Sequence, residues 1–139
     1  MSGAVHALIG AAIGSLIKNK PGSFTAGIVS HVLADLLPHR DFNPAVEVPL
    51  MAGTMAAIAG LHGVDSPEFL GALGAIAPDT EHALSITGFI TNEQKVFPTH
   101  MDDGKYHGTD SGEHLSQTLV ALIAACIIAA CSDNSTSGK

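Results

Sequence analysis

The sequence predicts an all-α protein, a compact bundle of about five helices with a long polar loop before the last one. Apolar residues make up 46% of the 139 residues and form five segments of helical length, whereas the alternating pattern of strands is nearly absent. Aromatic residues are only 4%, so Ala, Gly, Leu, Ile and Val must build the core through close backbone packing. The length predicts one domain, residues 1–132, followed by a flexible polar tail, residues 133–139.

The first two segments are bounded by turn and capping residues. Residues 4–17 predict the first helix, and the Asn-Lys-Pro-Gly sequence at residues 19–22 predicts its end. Ser23 is a suitable N-cap for the second helix. That helix is expected to end before Pro38, because proline disfavours a helical conformation of the residue before it.

The third and fourth segments are separated by a second capping signal. Residues 44–61 predict the third helix. Ser66 is followed by a proline at the first helical position, which is a typical helix start, and the fourth helix is expected to reach residue 76. Pro78 is expected to break it, with a short helical turn resuming at residues 81–86.

The last segment follows a long polar stretch. Residues 87–112 are rich in Gly, Asp, Thr and His and show little periodicity, which is typical of a functional loop. Residues 113–131 predict the fifth helix, and the small polar residues after it predict the tail.

The net charge limits the partners. Six Lys and Arg residues against 13 Asp and Glu give a net charge of -7. A protein that binds duplex nucleic acid needs a basic surface, so this class of partner is excluded. Association into a homo-oligomer is left open.

The apolar segments favour association with a membrane, and a soluble bundle is the alternative. Gly10 and Gly14 have the spacing of small residues at helix contacts in lipid. Against this, residues 119–131, the longest uninterrupted apolar run, would be only about 20 Å long as a helix, and a bilayer core is about 30 Å thick. His31 and Asp35 inside the second segment would also be costly in lipid unless paired.

Two clusters carry metal-ligand chemistry. His31 and Asp35 lie four residues apart and therefore share a helix face, where an imidazole nitrogen and a carboxylate oxygen could bind one divalent metal. Asp79, Glu81 and His82 provide a second compact set of ligands. The alternatives are a buried hydrogen-bonded His-Asp pair for the first cluster and a charged helix cap, with Asp79 as N-cap, for the second.

Eight histidines in a chain with few charges favour a shared cation. Burying these polar side chains without partners would cost several kcal/mol each, and a shared metal would remove that cost. Zn²⁺ suits such ligands best, with Mn²⁺ or Fe²⁺ as alternatives. No role is assigned to His62, His107 or His114. The expected metal ligands are His6, His31, Asp35, Asp79, His82 and His100.

Three sequence pieces carry a resemblance to a known family. They are SHVLADLLPHRDF (residues 30–42), GALGAIAPDTEH (residues 71–82) and KVFPTH (residues 95–100). In this order they resemble small bacterial proteins that have an N-terminal His and are similar in turn to the YdjM-like membrane-bound metal-dependent hydrolases. The H-x-x-x-D piece also resembles helical zinc-dependent phospholipases C and single-strand nucleases.

The resemblance implies an all-helical, membrane-associated protein, in the inner membrane of a bacterium, with an inward-facing metal site. The expected activity is hydrolysis of a phosphoester, such as a lipid headgroup. Asp79 or Glu81 would act as the base, and His39 or Arg40 would bind the phosphate. The alternative is a non-enzymatic helical membrane or assembly protein whose metal or His-carboxylate network is structural.

Overall fold

The computed structural model describes residues 1–97, 99, 108–110 and 113–136, with side chains as far as residue 132. Within these residues the chain forms five α-helices and no strand, which confirms the all-α bundle. A short 3-10 helix, Asn92–Gln94, lies between the last two α-helices. The helices are α1 (Gly3–Ile17), α2 (Lys20–Asp35), α3 (Pro44–His62), α4 (Pro67–Ile86) and α5 (Leu115–Thr136).

Three helices begin with a side-chain cap followed by a proline. The side chain of Asn19 caps α2, that of Asn43 caps α3, and that of Ser66 caps α4. The predicted end of the first helix at residue 17 is confirmed, whereas the prediction that the second helix begins at Ser23 is wrong, because α2 already starts at Lys20. Proline fits the first turn of a helix, where its missing N–H leaves no hydrogen bond unmade.

The predicted break at Pro78 is also wrong. Helix α4 runs without interruption from Pro67 to Ile86, and Pro78 is buried within it. Proline removes one backbone hydrogen bond, but packing against α1 and α2 holds the helix on both sides of it. Asp79 therefore lies on a continuous helix and not at an N-cap.

The region before α5 is described in part. Helix α5 begins at Leu115 and continues to Thr136, into the segment predicted as a tail. Before it, His39 and Asp110 form an isolated β-bridge, in which the His39 N–H donates to the Thr109 carbonyl over 3.2 Å. Pro98, residues 100–107 and residues 111–112 of the predicted loop lie outside the described residues.

Helix α1 is the central element and packs against all four other helices. Gly3, near the start of α1, lies beside Glu47 in the first turn of α3, whereas Gly14, near its end, lies against Pro67 at the start of α4. Ile58, further along α3, lies in one core cluster with Ala7 and Ala11, so α3 runs in the same direction as α1, whereas α4 runs opposite. The core around α1 consists of small and branched residues: Ala7, Ala11, Ile58, Ala72 and Ile76.

Glycines allow the backbones of α1, α2 and α4 to touch. A β-carbon added to Gly71 would lie 2.1 Å from the carbonyl oxygen of Gly10, and one added to Gly27 would lie 2.2 Å from that of Gly71. No side chain fits at such distances. The three helices are therefore close enough for short side chains on them to meet.

Helices α3 and α5 are largely exposed despite their apolar composition. Only 6% of an 18-residue stretch of Pro44–His62 and 11% of Leu115–Ser132 is buried. Both helices are long and apolar enough to cross a membrane. Leu61 and Ile123, which are 80% and 61% exposed, illustrate the outward apolar surface.

We expect Gly71→Ala to lower the free energy of unfolding by about 2–3 kcal/mol, because the new methyl group must push α1 and α4 apart. The matched control is Gly60→Ala on α3, where nothing lies within 4 Å of the added carbon. The control should stabilise the protein by about 0.5–1 kcal/mol, because alanine favours a helix. Chemical unfolding followed by circular dichroism measures both. Equal effects of the two substitutions would contradict this packing.

Candidate metal centre

His31 is oriented by a backbone carbonyl of the neighbouring helix. It lies on α2, fully buried, and its Nδ1 is 2.8 Å from the Ala75 carbonyl oxygen of α4. A carbonyl only accepts, so Nδ1 carries the proton and, in the neutral ring, Nε2 keeps its lone pair. Nε2 lies 3.3 Å from Asp35 Oδ2 and 3.9 Å from Asp79 Oδ1. The ring is thus held with a potential metal-ligand atom toward two carboxylates.

His6 of α1 completes a pair of stacked imidazoles. Its ring centroid lies 4.0 Å from that of His31, and its Nε2 is 2.9 Å from Asp35 Oδ1. Burial lowers the pKa of the His6 imidazole, and the hydrogen bond with Asp35 opposes this in part. Its buried Nδ1 has no hydrogen-bond partner among the described residues. A neutral His6 therefore has a ring nitrogen available to a metal.

Asp35, at the end of α2, connects the two histidines and the start of the chain. Its carboxylate is fully buried, and Oδ1 accepts a hydrogen bond of 2.7 Å from the Met1 ammonium. His6 and His31 lie against its two oxygens. A buried carboxylate is tolerated only with such partners, because leaving water costs it several kcal/mol.

Asp79 of α4 supplies the most accessible member of this cluster. Its side chain is 22% exposed, whereas those of His6 and His31 are fully buried. One ligand atom from each of these three residues lies within 4.8 Å of the other two, so the group could hold a metal ion. We call His6, His31, Asp35 and Asp79 the His-Asp group.

The structure does not bring Glu81 and His82 into the His-Asp group. Both carboxylate oxygens of Glu81 accept backbone N–H groups, from Val96 over 2.7 Å and from Phe97 over 2.9 Å. Because α4 is continuous, Glu81 projects about 200° around the helix from Asp79. His82 lies instead with its Nδ1 3.3 Å from Lys95 Nζ. The remaining predicted ligand, His100, lies outside the described residues.

His39 is buried next to the His-Asp group without being part of it. Its Nδ1 lies 2.7 Å from the Leu37 carbonyl oxygen, and its Nε2 lies 3.2 Å from Asp41 Oδ1. The Met1 ammonium contacts both Asp41 and Asp35, and so links His39 to the group. The predicted phosphate ligand Arg40 is exposed at the same end of the bundle.

Sequence reasoning missed two residues beside the centre, Glu47 and Gln117. Glu47 accepts a hydrogen bond from the Gly3 backbone N–H, and a carboxylate oxygen of Asp79 approaches the same glycine. Gln117 accepts from the Ser2 N–H over 3.1 Å and donates to the Arg40 carbonyl over 2.8 Å. Glu47 had a signal in the sequence, since it is the only Asp, Glu, Lys or Arg in α3.

The fold and the site together define an all-helical protein with a His-Asp group that could hold a metal ion. The ligands that meet there come from α1, α2 and α4. No family model, no curated protein and no solved structure matches this chain.

We expect Asp35→Asn to lower the free energy of unfolding by about 3 kcal/mol or more, because it leaves the Met1 ammonium and two imidazoles without their buried carboxylate. The control is Asp65→Asn, which removes an exposed carboxylate paired with Lys20. Exposed pairs contribute little, so this variant should unfold like the parent protein. Chemical unfolding of both variants provides the measurement. An unchanged stability of Asp35→Asn would refute the central role of this carboxylate.

Proposed function

We propose that this chain is a metal-dependent hydrolase of phosphoesters, with a divalent cation held by His6, His31 and Asp79. The observation that carries the proposal is the convergence of these three ligand atoms within 4.8 Å. Two imidazoles and one carboxylate are a ligand set of catalytic zinc, which leaves a coordination position for water. Zn²⁺ is therefore the first candidate, with Mn²⁺ or Fe²⁺ as alternatives.

The surroundings of the two histidines support this assignment. Metal-binding histidines usually direct their second ring nitrogen to a carbonyl or a carboxylate, which fixes the orientation of the ring. His31 has the Ala75 carbonyl in this position, and His6 has Asp35. Asp35 is thus assigned to orientation rather than to direct ligation.

Asp79 gives the site its access to water and substrate. It is the partly exposed member of the group, while the histidines close the site from the inside. A divalent cation bound there would lower the pKa of water and polarise a phosphoryl oxygen. In hydrolysis the water oxygen bonds to phosphorus, the Asp79 carboxylate takes the proton, one ester P–O bond breaks, and the leaving oxygen is protonated.

The other predicted catalytic residues take different roles. Both oxygens of Glu81 are engaged by backbone N–H groups, which favours Asp79 as the base. His39 is buried and contacts Asp41, so we assign it to holding the residues around the site and not to binding the substrate. Arg40, which is exposed at this end of the bundle, is assigned to binding of the substrate phosphate.

The metal assignment predicts the metal content of purified protein. Protein prepared without chelators should contain about one equivalent of a divalent metal, and His31→Ala and Asp79→Ala should lose most of it, because each removes a ligand. His62→Ala is the matched control, since His62 lies at the far end of α3 and should leave the metal content unchanged. Elemental analysis by mass spectrometry measures it. Full metal content in His31→Ala would exclude this centre.

The double assignment of Asp79, as a metal ligand and as the base, predicts a loss of turnover. With excess metal and bis(p-nitrophenyl) phosphate as substrate, we expect Asp79→Asn to reduce kcat/KM at least about 100-fold, because it weakens metal binding and removes the base at once. Asp65→Asn, an exposed substitution of the same type, should retain the parent rate. Circular dichroism checks that both variants are folded. Absence of turnover in the metal-loaded parent protein would refute the hydrolase.

Helices α3 and α5 are proposed to attach the protein to a membrane. Helix α3 has 19 residues, so it is about 28 Å long, close to the roughly 30 Å of a bilayer core. Both helices expose apolar side chains over most of their length. Exposed apolar area on this scale is unusual for a soluble monomer.

A structural metal in a non-enzymatic membrane or assembly protein is the second candidate. It is favoured by the position of the ligands, which would join the three helices whose backbones already touch at Gly10, Gly27 and Gly71. In that case a chelator should unfold the chain or dissociate an assembly. Metal-dependent phosphoester turnover distinguishes the hydrolase from this candidate.

A further inference from the structure

The His-Asp group lies at the end of the bundle where both apolar helices begin. Glu47, in the first turn of α3, accepts a hydrogen bond from the Gly3 N–H. Gln117, in the first turn of α5, accepts one from the Ser2 N–H over 3.1 Å. These two contacts place the first turns of α1, α3 and α5 side by side at the same end of the bundle.

The depth of the centre along α3 follows from these contacts. Glu47, which is about 4.5 Å into α3, lies beside Gly3, and His6 is a further 4.5 Å along α1, so the backbone of His6 is about 9 Å from the level where α3 starts. About 19 Å of α3 extends beyond this level. The His-Asp group is therefore in the outer third of a layer about 28 Å thick.

The positions of the charged residues agree with a His-Asp group near one end of α3. After Glu47, α3 contains no Asp, Glu, Lys or Arg, and neither does Leu115–Ser132 of α5. Arg40, Asp41 and Lys95, by contrast, belong to the segments at the end with the His-Asp group. The uncharged parts of α3 and α5 thus form an apolar layer, and the His-Asp group lies near the charged edge of that layer. The hydrocarbon of a membrane meets the lipid headgroups at such an edge.

We infer that the substrate is the phosphoester of a lipid headgroup, which reaches the His-Asp group from the membrane surface. The inference rests on the proposed function. A headgroup phosphate lies just outside the hydrocarbon layer, at the level of the partly exposed Asp79. Water attacks the headgroup phosphorus, one P–O ester bond breaks, and the released alcohol takes the proton.

The depth of the centre is measured with single tryptophans, because the chain contains none. The exposed positions Val46, Ala52 and Leu61 lie at the start, in the middle and at the end of α3. Each Trp variant is placed in phosphatidylcholine–phosphatidylglycerol vesicles whose acyl chains are brominated near the bilayer centre. Quenching should be at least about threefold stronger for Ala52→Trp than for Val46→Trp and Leu61→Trp.

Two outcomes of this measurement would overturn the inference. Equal quenching of Val46→Trp and Ala52→Trp would place the centre inside the hydrocarbon. Absence of quenching at all three positions would show that α3 does not enter the bilayer. Neither outcome bears on metal content or on turnover of a soluble phosphodiester, which test the proposed function separately.

The substrate class is measured by comparing two phosphodiesters. Metal-loaded protein is given phosphatidylglycerol in vesicles or glycerophosphoglycerol, which has the same headgroup without acyl chains. We expect hydrolysis of the lipid to be at least about tenfold faster, since the bilayer holds its phosphate at the centre. Equal rates would overturn the lipid assignment and leave the hydrolase intact. Turnover of neither compound, nor of bis(p-nitrophenyl) phosphate, would refute both.

Discussion

The structure depends on one buried negative charge, the carboxylate of Asp35. It sits at the end of α2, and the Met1 ammonium, His6 and His31 are arranged around its two oxygens. Since an isolated carboxylate is costly in an apolar interior, these groups must stay together for the helices to pack. The same requirement holds His6 and His31 within reach of Asp79. Packing and the candidate chemistry therefore share one electrostatic constraint.

This constraint acts only because the helices are unusually close. Histidine and aspartate side chains are short, and residues on three different helices can surround one cation only when their backbones are near contact. Gly10 and Gly71 provide that proximity, since neither has a side chain between the two helices. The low content of aromatic residues serves the same end. The amino-acid composition therefore allows the close packing of the helices, and the close packing allows the geometry of the site.

Local patterns predicted the parts of the site that depend on a single helix. The spacing of His31 and Asp35 predicted a shared face, and the structure places the two side chains together, with His31 Nε2 3.3 Å from Asp35 Oδ2. The helix break expected at Pro78 does not occur, because packing with other helices offsets the free-energy cost of a proline inside α4. A local sequence pattern does not contain this packing. Glu47 was missed for a related reason, because its position beside Gly3 depends on how α3 is aligned with α1.

The partial exposure of Asp79 is the observation that favours the proposed catalytic centre over a structural one. A metal that only joins helices is best enclosed on every side, because a closed coordination shell excludes water and substrate. Here the histidines are fully buried, whereas the Asp79 side chain that completes the group is 22% exposed. That surface adjoins the starts of α3 and α5, the two helices with large exposed apolar faces. A partly exposed ligand beside these helices can be reached from solvent, which favours the proposed hydrolase over a purely structural metal.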